Sequence, residues 1–192
     1  EMYIDKGQPM IMGSKVSQKH VLKEIQAFGS FDHHPEGMEI DPDERIYYKQ
    51  YDLEYQIEGR RDNVKKADRL KLNLYFDPVR RSNELLDLDV AITTQKKALE
   101  EILKGQTPLD DDATIARAYC YYTLSYDETT RILKSFTLNE KKVAKKHQLA
   151  GFFANTTLKL NTSPMEAQHH YRLRDEQEKY FSMMKGLMGA DR

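Results

Sequence analysis

The sequence predicts an α+β fold, because stretches with two different hydrophobic periods follow one another along the chain. Apolar residues spaced three and four apart predict helices, and strict alternation of apolar and polar residues predicts strands. The clearest strand is residues 70 to 76, where the apolar side chains of Leu70, Leu72, Leu74 and Phe76 would form one buried face. The predicted order is a strand, a helix, several strands with one long helix, and a final helix.

The first part of the chain predicts one strand, one helix and a Tyr-rich strand region. Residues 8 to 13 predict a short strand that a glycine ends, and Ser17 is predicted to cap a helix ending at Gly29. Residues 32 to 43 contain Pro and Gly among polar residues and are predicted to form a loop. Residues 45 to 56, rich in Tyr and Ile, favour one or two strands.

The middle of the chain predicts a long helix followed by a pair of strands. Asp77 and Pro78 are suited to the cap and first turn of a helix over residues 78 to 104. The acidic run 110 to 112 is predicted to be a solvated loop. Residues 119 to 126 and 131 to 138 predict the two strands.

Two further helices are predicted, with one strand between them. Asn139 is a typical cap for a short basic helix over residues 140 to 150, and residues 151 to 156 predict a strand. Ser163 and Glu166 form a capping-box pattern, with Pro164 at the first helical position. The helix that begins there is predicted to run to about Lys185.

The final helix has two distinct faces at about 100° per residue. Its predicted core stripe is Leu173, Tyr180, Met184 and Leu187. A second face, within an arc of roughly 80°, carries Tyr171, Arg174, Glu178, Phe181 and Lys185. This face presents a phenol, a guanidinium, a carboxylate and an ammonium group in register. Spacing alone equally fits a solvated surface strip with an Arg174–Glu178 ion pair.

Composition excludes several classes of protein. The 192 residues include 30 Lys and Arg, 31 Asp and Glu, and one cysteine, so a disulfide framework and a cysteine zinc site are excluded. No apolar run approaches the roughly 20 residues of a membrane span. Charge is nevertheless segregated: residues 60 to 81 hold eight basic and three acidic residues, and residues 131 to 147 hold six and one. Such blocks can form a polyanion-binding track.

The spacing Tyr171-x2-Arg174-x3-Glu178-x6-Lys185 resembles the YREK signature of DDE transposases of bacterial insertion sequences. The sequence Gly151-Phe152-Phe153 leads into a predicted strand, and the capped helix follows that strand. This order of elements is also similar to that family. The resemblance is sharpest from about Gly151 onward.

The resemblance implies a partial ribonuclease H-like core with an inserted domain. Residues 1–29 would be the last core strand with its helix, residues 30–161 a β-containing insertion domain that includes the long helix 78–104, and residues 162–192 the catalytic helix. Glu178 would be the third acid of an Asp-Asp-Glu triad and a ligand of Mg²⁺, with two ions expected. Both aspartates are expected ahead of residue 1, since Asp5 lies in the wrong context, and the chain alone is expected to be inactive.

The resemblance also implies partners. Double-stranded DNA at transposon ends would be the substrate, with Tyr171, Arg174 and Lys185 holding its backbone. A homodimer assembled on DNA, no membrane, and a cytoplasmic, nucleoid-associated location in a bacterium are expected. Two alternatives remain open. One is a non-catalytic DNA-binding module that uses the basic block 60–81 and Lys141, Lys142, Lys145 and Lys146. The other is a transposase relic kept as an interaction domain.

Overall fold

The computed structural model describes residues 9–31, 33–53, 70–158 and 160–188, with side chains as far as residue 184. In this part the chain forms helices and antiparallel β-sheets, which confirms the predicted α+β class. The chain divides into two compact units, unit 1 within residues 1–78 and 152–192 and unit 2 within residues 79–151. Asp5 and residues 60–69 of the first basic block lie outside the described residues.

Unit 1 is built on a five-stranded sheet in which every neighbouring pair is antiparallel. The spatial order of its strands is β1-β7-β4-β3-β2. The strands are β1 (Met10–Ser14), β2 (Glu39–Asp41), β3 (Ile46–Asp52), β4 (Leu70–Phe76) and β7 (Phe152–Leu158). Two helices complete unit 1, α1 (Lys19–Ala27) and α5 (Pro164–Met188).

One face of this sheet is apolar and packs against α1 and the segment after it. Val21 and Ile25 of α1 are buried. Phe28 stacks on Phe152 with ring centroids 6.0 Å apart, and Phe31 meets Phe76 edge to face at 5.2 Å. These aromatic pairs add to the burial of Leu72 and Leu74, which share this face of β4.

The opposite face carries amides, of which Asn73 and Asn155 are buried and Gln50 is half-buried. Gln50, Asn73 and Asn155 lie directly opposite one another on β3, β4 and β7, and we call these three side chains the amide row. The prediction that β4 has one buried face was therefore wrong, since Leu72 to Phe76 are all buried. Alternation of Leu with polar residues is typical of a solvated strand face, but here the polar side chains have hydrogen-bond partners.

Two short features of unit 1 differ from the predictions. Helix α1 begins at Lys19 after Gln18, and no side-chain hydrogen bond caps it, so Ser17 is not the cap. The predicted loop over residues 32 to 43 contains β2, which forms a hairpin with β3. The Asp41 carboxylate accepts hydrogen bonds from the backbone amides of Asp43 and Glu44 and so forms the turn between these strands.

Unit 2 combines three helices with a two-stranded hairpin. Its elements are α2 (Pro78–Gly105, which starts at the unit boundary), α3 (Asp112–Ala118), β5 (Tyr122–Tyr126), β6 (Leu133–Leu138) and α4 (Glu140–Leu149). The predicted long helix and strand pair are thus confirmed. Leu99, Leu109, Ile115 and Leu133 form the buried core of this unit.

The acidic run at residues 110 to 112 is part of a helix start and not a plain loop. Asp111 is the N-cap of α3, and its carboxylate accepts hydrogen bonds from the backbone amides of Ala113 and Thr114. A hydrogen bond from the Thr114 hydroxyl, together with these two backbone hydrogen bonds, holds the pKa of Asp111 below its usual value. The acidic composition of the run suggested a solvated loop. Asp111 is instead a helix cap, and Ile115, an apolar residue of the helix that it caps, is buried.

The division of the chain differs from the predicted domain boundaries at residues 29/30 and 161/162. Strands β2, β3, β4 and β7 were expected in an inserted domain, yet they pair in the same sheet as β1. The central position of β4 explains this arrangement, because both of its faces are buried and both of its edges are paired. The separate unit is the shorter segment, residues 79–151.

Candidate functional site

Helix α5 carries the Tyr, Arg, Glu and Lys positions, and its start is fixed by a capping box. The backbone amide of Glu166 donates to the Ser163 hydroxyl at 3.2 Å, and the backbone amide of Ser163 donates to the Glu166 carboxylate at 2.8 Å. The predicted capping box is therefore confirmed. The hydrogen bonds from Ser163 lower the pKa of Glu166. Two backbone amides at the helix start are thereby satisfied.

The amide row joins the first turns of α5 to the sheet. Gln50 donates to Asn73, and Asn73 donates to Asn155, both at 2.8 Å. Asn155 in turn donates to Gln168 of α5 at 3.3 Å. Lys71 donates to Gln50 at 2.9 Å at the other end of the row. A continuous chain of directional contacts thus runs across three strands into the helix.

A second polar contact holds the same turn. The Tyr75 hydroxyl donates to the Pro164 carbonyl at 2.6 Å and accepts from the Asn155 amide at 3.1 Å. Burial is the main cause of the raised pKa of Tyr75. The phenol is therefore held as a neutral donor beneath the helix start.

Tyr171 lies directly over Gly13 of the edge strand β1. A Cβ atom at position 13 would meet the Tyr171 hydroxyl and would lie 2.9 Å from its Cζ. One turn later, Nη1 of Arg174 donates to the Ile11 carbonyl at 3.4 Å. Pro164 contacts β4, Gln168 contacts β7, and Tyr171 contacts β1. Helix α5 therefore crosses the sheet towards its β1 edge.

Glu178 follows Tyr171 and Arg174 on the same helix. It is seven residues beyond Tyr171, about 10 Å along the helix axis. Its side chain is 61% exposed, and Oε1 accepts from Nε of Arg174 at 2.8 Å. Hydrogen bonding to Glu178 raises the pKa of Arg174. An exposed i, i+4 pair is worth only about 0.2–0.5 kcal/mol, so either group can exchange its partner for a phosphate or a cation.

The predicted core stripe of α5 was wrong at Leu173 and Tyr180, and the side chain of Leu187 lies outside the described residues. The side chains of Leu173 and Tyr180 are 42% and 59% exposed, whereas Ala167 and Gln168 are buried. The helix faces the sheet with its small and amide residues because the sheet face below it is formed by the amide row. Tyr171 and Arg174 contact β1, and Glu178 pairs with Arg174 on the same side of the helix. Lys185 belongs to α5, but its side chain lies outside the described residues.

The described side chains include no complete group of metal ligands. Among these, no three His, Cys, Asp or Glu residues form a group that could hold a metal ion. Glu178 provides a single accessible carboxylate. Its hard oxygen atoms are the ligand type that Mg²⁺ prefers, so Glu178 fits as one ligand.

Unit 2 contains the predicted basic helix, α4. The Asn139 side chain accepts from the backbone amide of Lys142, which confirms the predicted cap. The four lysine side chains of α4 are exposed, and Lys142 also donates to the Cys120 carbonyl at 3.1 Å. The other three are Lys141, Lys145 and Lys146.

Arg81 closes the other end of α4. Its Nη1 donates to the carbonyls of His147 and Ala150 at 3.1 and 3.2 Å. These carbonyls belong to the last turn, where no backbone donor within the helix reaches them. Partial burial lowers the pKa of Arg81.

Four residues of the site have no counterpart in the sequence predictions: Gly13, Tyr75, Asn155 and Gln168. Gly13 was interpreted only as a strand end, although a glycine inside a strand also indicates close approach of another group. Tyr75 and Asn155 carried no signal, because a polar residue has the same identity whether it is buried or exposed. Only the neighbours in the tertiary structure distinguish them.

Comparisons of the chain with protein-family models, with curated proteins and with solved structures find no match. Among the described helices, none has the length and apolar character that a membrane span needs.

Proposed function

We propose that the chain is part of a DDE transposase in which Glu178 is one of the three catalytic carboxylates. The observation that carries the proposal is the exposed Glu178 carboxylate on the same side of α5 as Arg174 and Tyr171. The spacing that resembles the YREK signature supplies the reaction class. The weak pairing with Arg174 leaves the carboxylate available to a cation.

The reaction would be cleavage and joining of a DNA strand by in-line displacement at phosphorus. Arg174, with five donors in a planar fork, suits a phosphate oxygen, and Tyr171 offers a hydroxyl group at the β1 edge. Lys185 would add a point charge to the same helix face. These groups would hold the DNA backbone beside Glu178, in the role that phosphate contacts commonly have.

Glu178 would hold Mg²⁺ together with two aspartates that the proposal places ahead of residue 1. Two such ions, when bound, stabilise charge on the attacking and leaving oxygens. The chain alone would then lack activity, since it supplies one of the three acids. A ribonuclease H-like core, a homodimer on transposon-end DNA, and a bacterial cytoplasmic location near the nucleoid belong to the same proposal.

The test is Glu178→Gln in the full-length parent protein, assayed for cleavage of its transposon-end DNA. Loss of a metal ligand removes several kcal/mol of transition-state stabilisation, so we expect at least about a hundredfold slower cleavage. DNA binding should be retained. The matched control is Glu176→Gln, an exposed carboxylate on the same helix. Normal cleavage by the Glu178 variant would refute the assignment.

A second candidate function is DNA binding without catalysis, and the exposed lysines of α4 favour it. No ion pair within the described residues engages Lys141, Lys145 or Lys146, so these exposed ammonium groups are available to phosphates. Four lysines in ten residues give α4 a concentrated positive charge. This alternative needs no carboxylate at position 178.

The alternative predicts duplex DNA binding by the 192-residue chain with a steep salt dependence. Each lost phosphate contact should lower the slope of log K against log salt by about 0.9. Charge reversal of Lys141, Lys145 and Lys146 should therefore abolish most of the affinity. Reversal of Lys97 and Lys104, exposed on α2, is the control. Equal losses in both variants would exclude a specific role of α4.

A further inference from the structure

The sheet face beneath α5 carries buried amide side chains beside the stacked rings of Tyr75 and Phe153. Asn73 and Asn155 are fully buried, and Gln168 above them is 6% exposed. A buried amide without a partner is strongly unfavourable, yet every amide of the row is hydrogen-bonded. An apolar interface would tolerate sliding of a helix, whereas directional hydrogen bonds are satisfied in one register only.

We propose that Gln168 is a positioning residue, which sets the register of α5 on the sheet and thereby directs Glu178. Its side-chain oxygen is the acceptor by which α5 joins the amide row, through Asn155. The next turn places Tyr171 over Gly13, a contact that leaves no room for a Cβ atom. The register chosen at Gln168 is therefore the one in which the Tyr171 ring fits.

The length of α5 makes the contact between Gln168 and Asn155 important for the position of Glu178. Glu178 lies ten residues beyond Gln168, which is about 15 Å along the axis. If α5 tilted by about 10° at Gln168, the Glu178 carboxylate would move by roughly 2 to 3 Å over this distance. Displacements of about 1 Å can cost a hundredfold in rate. This consequence for catalysis rests on the proposed function, whereas the register itself does not.

The first experiment measures the register in the 192-residue chain by NMR. Cross-peaks between the Tyr171 ring and the Gly13 α-protons report the contact, and cross-strand peaks between β4 and β7 report an intact sheet. Gln168→Met keeps the length of the side chain and removes the acceptor. We expect it to lose the Tyr171–Gly13 cross-peaks and to keep the cross-strand peaks. Retention of both sets would overturn the proposal.

Two further variants complete this test. Gln168→Glu keeps an acceptor oxygen and should retain the Tyr171–Gly13 cross-peaks, and their loss would overturn the proposal even where the Met variant does not fold. His169→Met changes an exposed neighbour on the same helix and should retain all peaks. Loss of the Tyr171–Gly13 cross-peaks in the His169 variant would also contradict a specific role of Gln168.

The second experiment measures cleavage in the full-length parent. Gln168→Met should lower the rate at saturating DNA by about a hundredfold and leave the dissociation constant for DNA unchanged, while His169→Met changes neither. An unchanged rate would overturn the catalytic consequence. If Glu178→Gln cleaves normally, the proposed function fails, and the NMR result still decides the role of Gln168 in setting the register.

Discussion

Gly13 shows how the absence of one side chain can position a helix. It lies on β1 opposite Asn155, at the end of the amide row, and the Tyr171 ring occupies the space where a Cβ atom would be. The contact brings a phenol and a strand backbone closer than any other residue at position 13 would allow. Close approach, and not a special backbone angle, is thus the reason for glycine here.

The first prediction concerns this contact. Gly13→Ala should lower the free energy of unfolding by about 1–3 kcal/mol, because the added methyl group overpacks against Tyr171. Chemical denaturation monitored by circular dichroism measures the loss. In a Tyr171→Ala background the same substitution should cost much less, since the obstructing ring is gone. An equal cost in both backgrounds would show that the strain arises elsewhere.

Residue spacing predicted which helix face carries Glu178 but not the surroundings of that face. The spacing of Tyr171, Arg174 and Glu178 placed them on one helix face, and the continuous α5 has them there. The neighbours that hold this face, Gly13 and Gln168, are 155 positions apart in sequence and meet only through the sheet. No local pattern relates two such residues.

At the scale of elements, polar caps determine where helices start. Asn139 caps α4, Asp111 caps α3, and the Ser163–Glu166 pair begins α5. Each supplies oxygen atoms to backbone amides that have no partner within the helix. Two of these three starts were predicted, because Asn139 and Ser163 are typical capping residues directly ahead of a helical segment. The α3 cap was missed because its helix has only seven residues.

The turn of the β5–β6 hairpin supplies a prediction on pH. Backbone hydrogen bonds from Thr130 and Thr129, with one from the Lys134 ammonium group, lower the pKa of Asp127 from 3.8 to about 2. The folded state therefore favours the carboxylate. Its contribution to stability is complete above the unfolded pKa and is lost as the pH falls towards about 2.

An NMR titration of the Asp127 carboxyl carbon should give a midpoint near this low value. Asp127→Asn should flatten the dependence of stability on pH between 3.8 and about 2, because an amide does not titrate in this range. Asp110→Asn, which changes an exposed acid in the same unit, is the control. A normal midpoint for Asp127 would mean that the turn hydrogen bonds do not persist in solution.

At the scale of the whole molecule, the two units have separate cores. Leu72 is buried in the sheet of unit 1, and Leu99 is buried among Leu109, Ile115 and Leu133 in unit 2. Leu72 belongs to unit 1, and Leu99 and the leucine and isoleucine residues around it belong to unit 2. A cavity in one core should therefore weaken that unit first.

Amide hydrogen exchange can measure this separation. Leu72→Ala and Leu99→Ala should each cost about 2–5 kcal/mol, from lost burial and the cavity left behind. We expect faster exchange chiefly in β4 and β7 for the first variant and in α2 and β6 for the second. Uniform acceleration across both units in either variant would indicate a single cooperative fold.

The sequence by itself determined the α+β class, the long and capped helices, and the helix face that carries Glu178, because these depend on periods and caps within one segment. The tertiary structure decided which strands share a sheet, which face of α5 lies against it, and that the polar side of β4 is buried. The physical reason is that burial of an amide depends on hydrogen-bond partners from other segments. Asn73, Asn155 and Gln168 acquire those partners only when the strands and the helix come together.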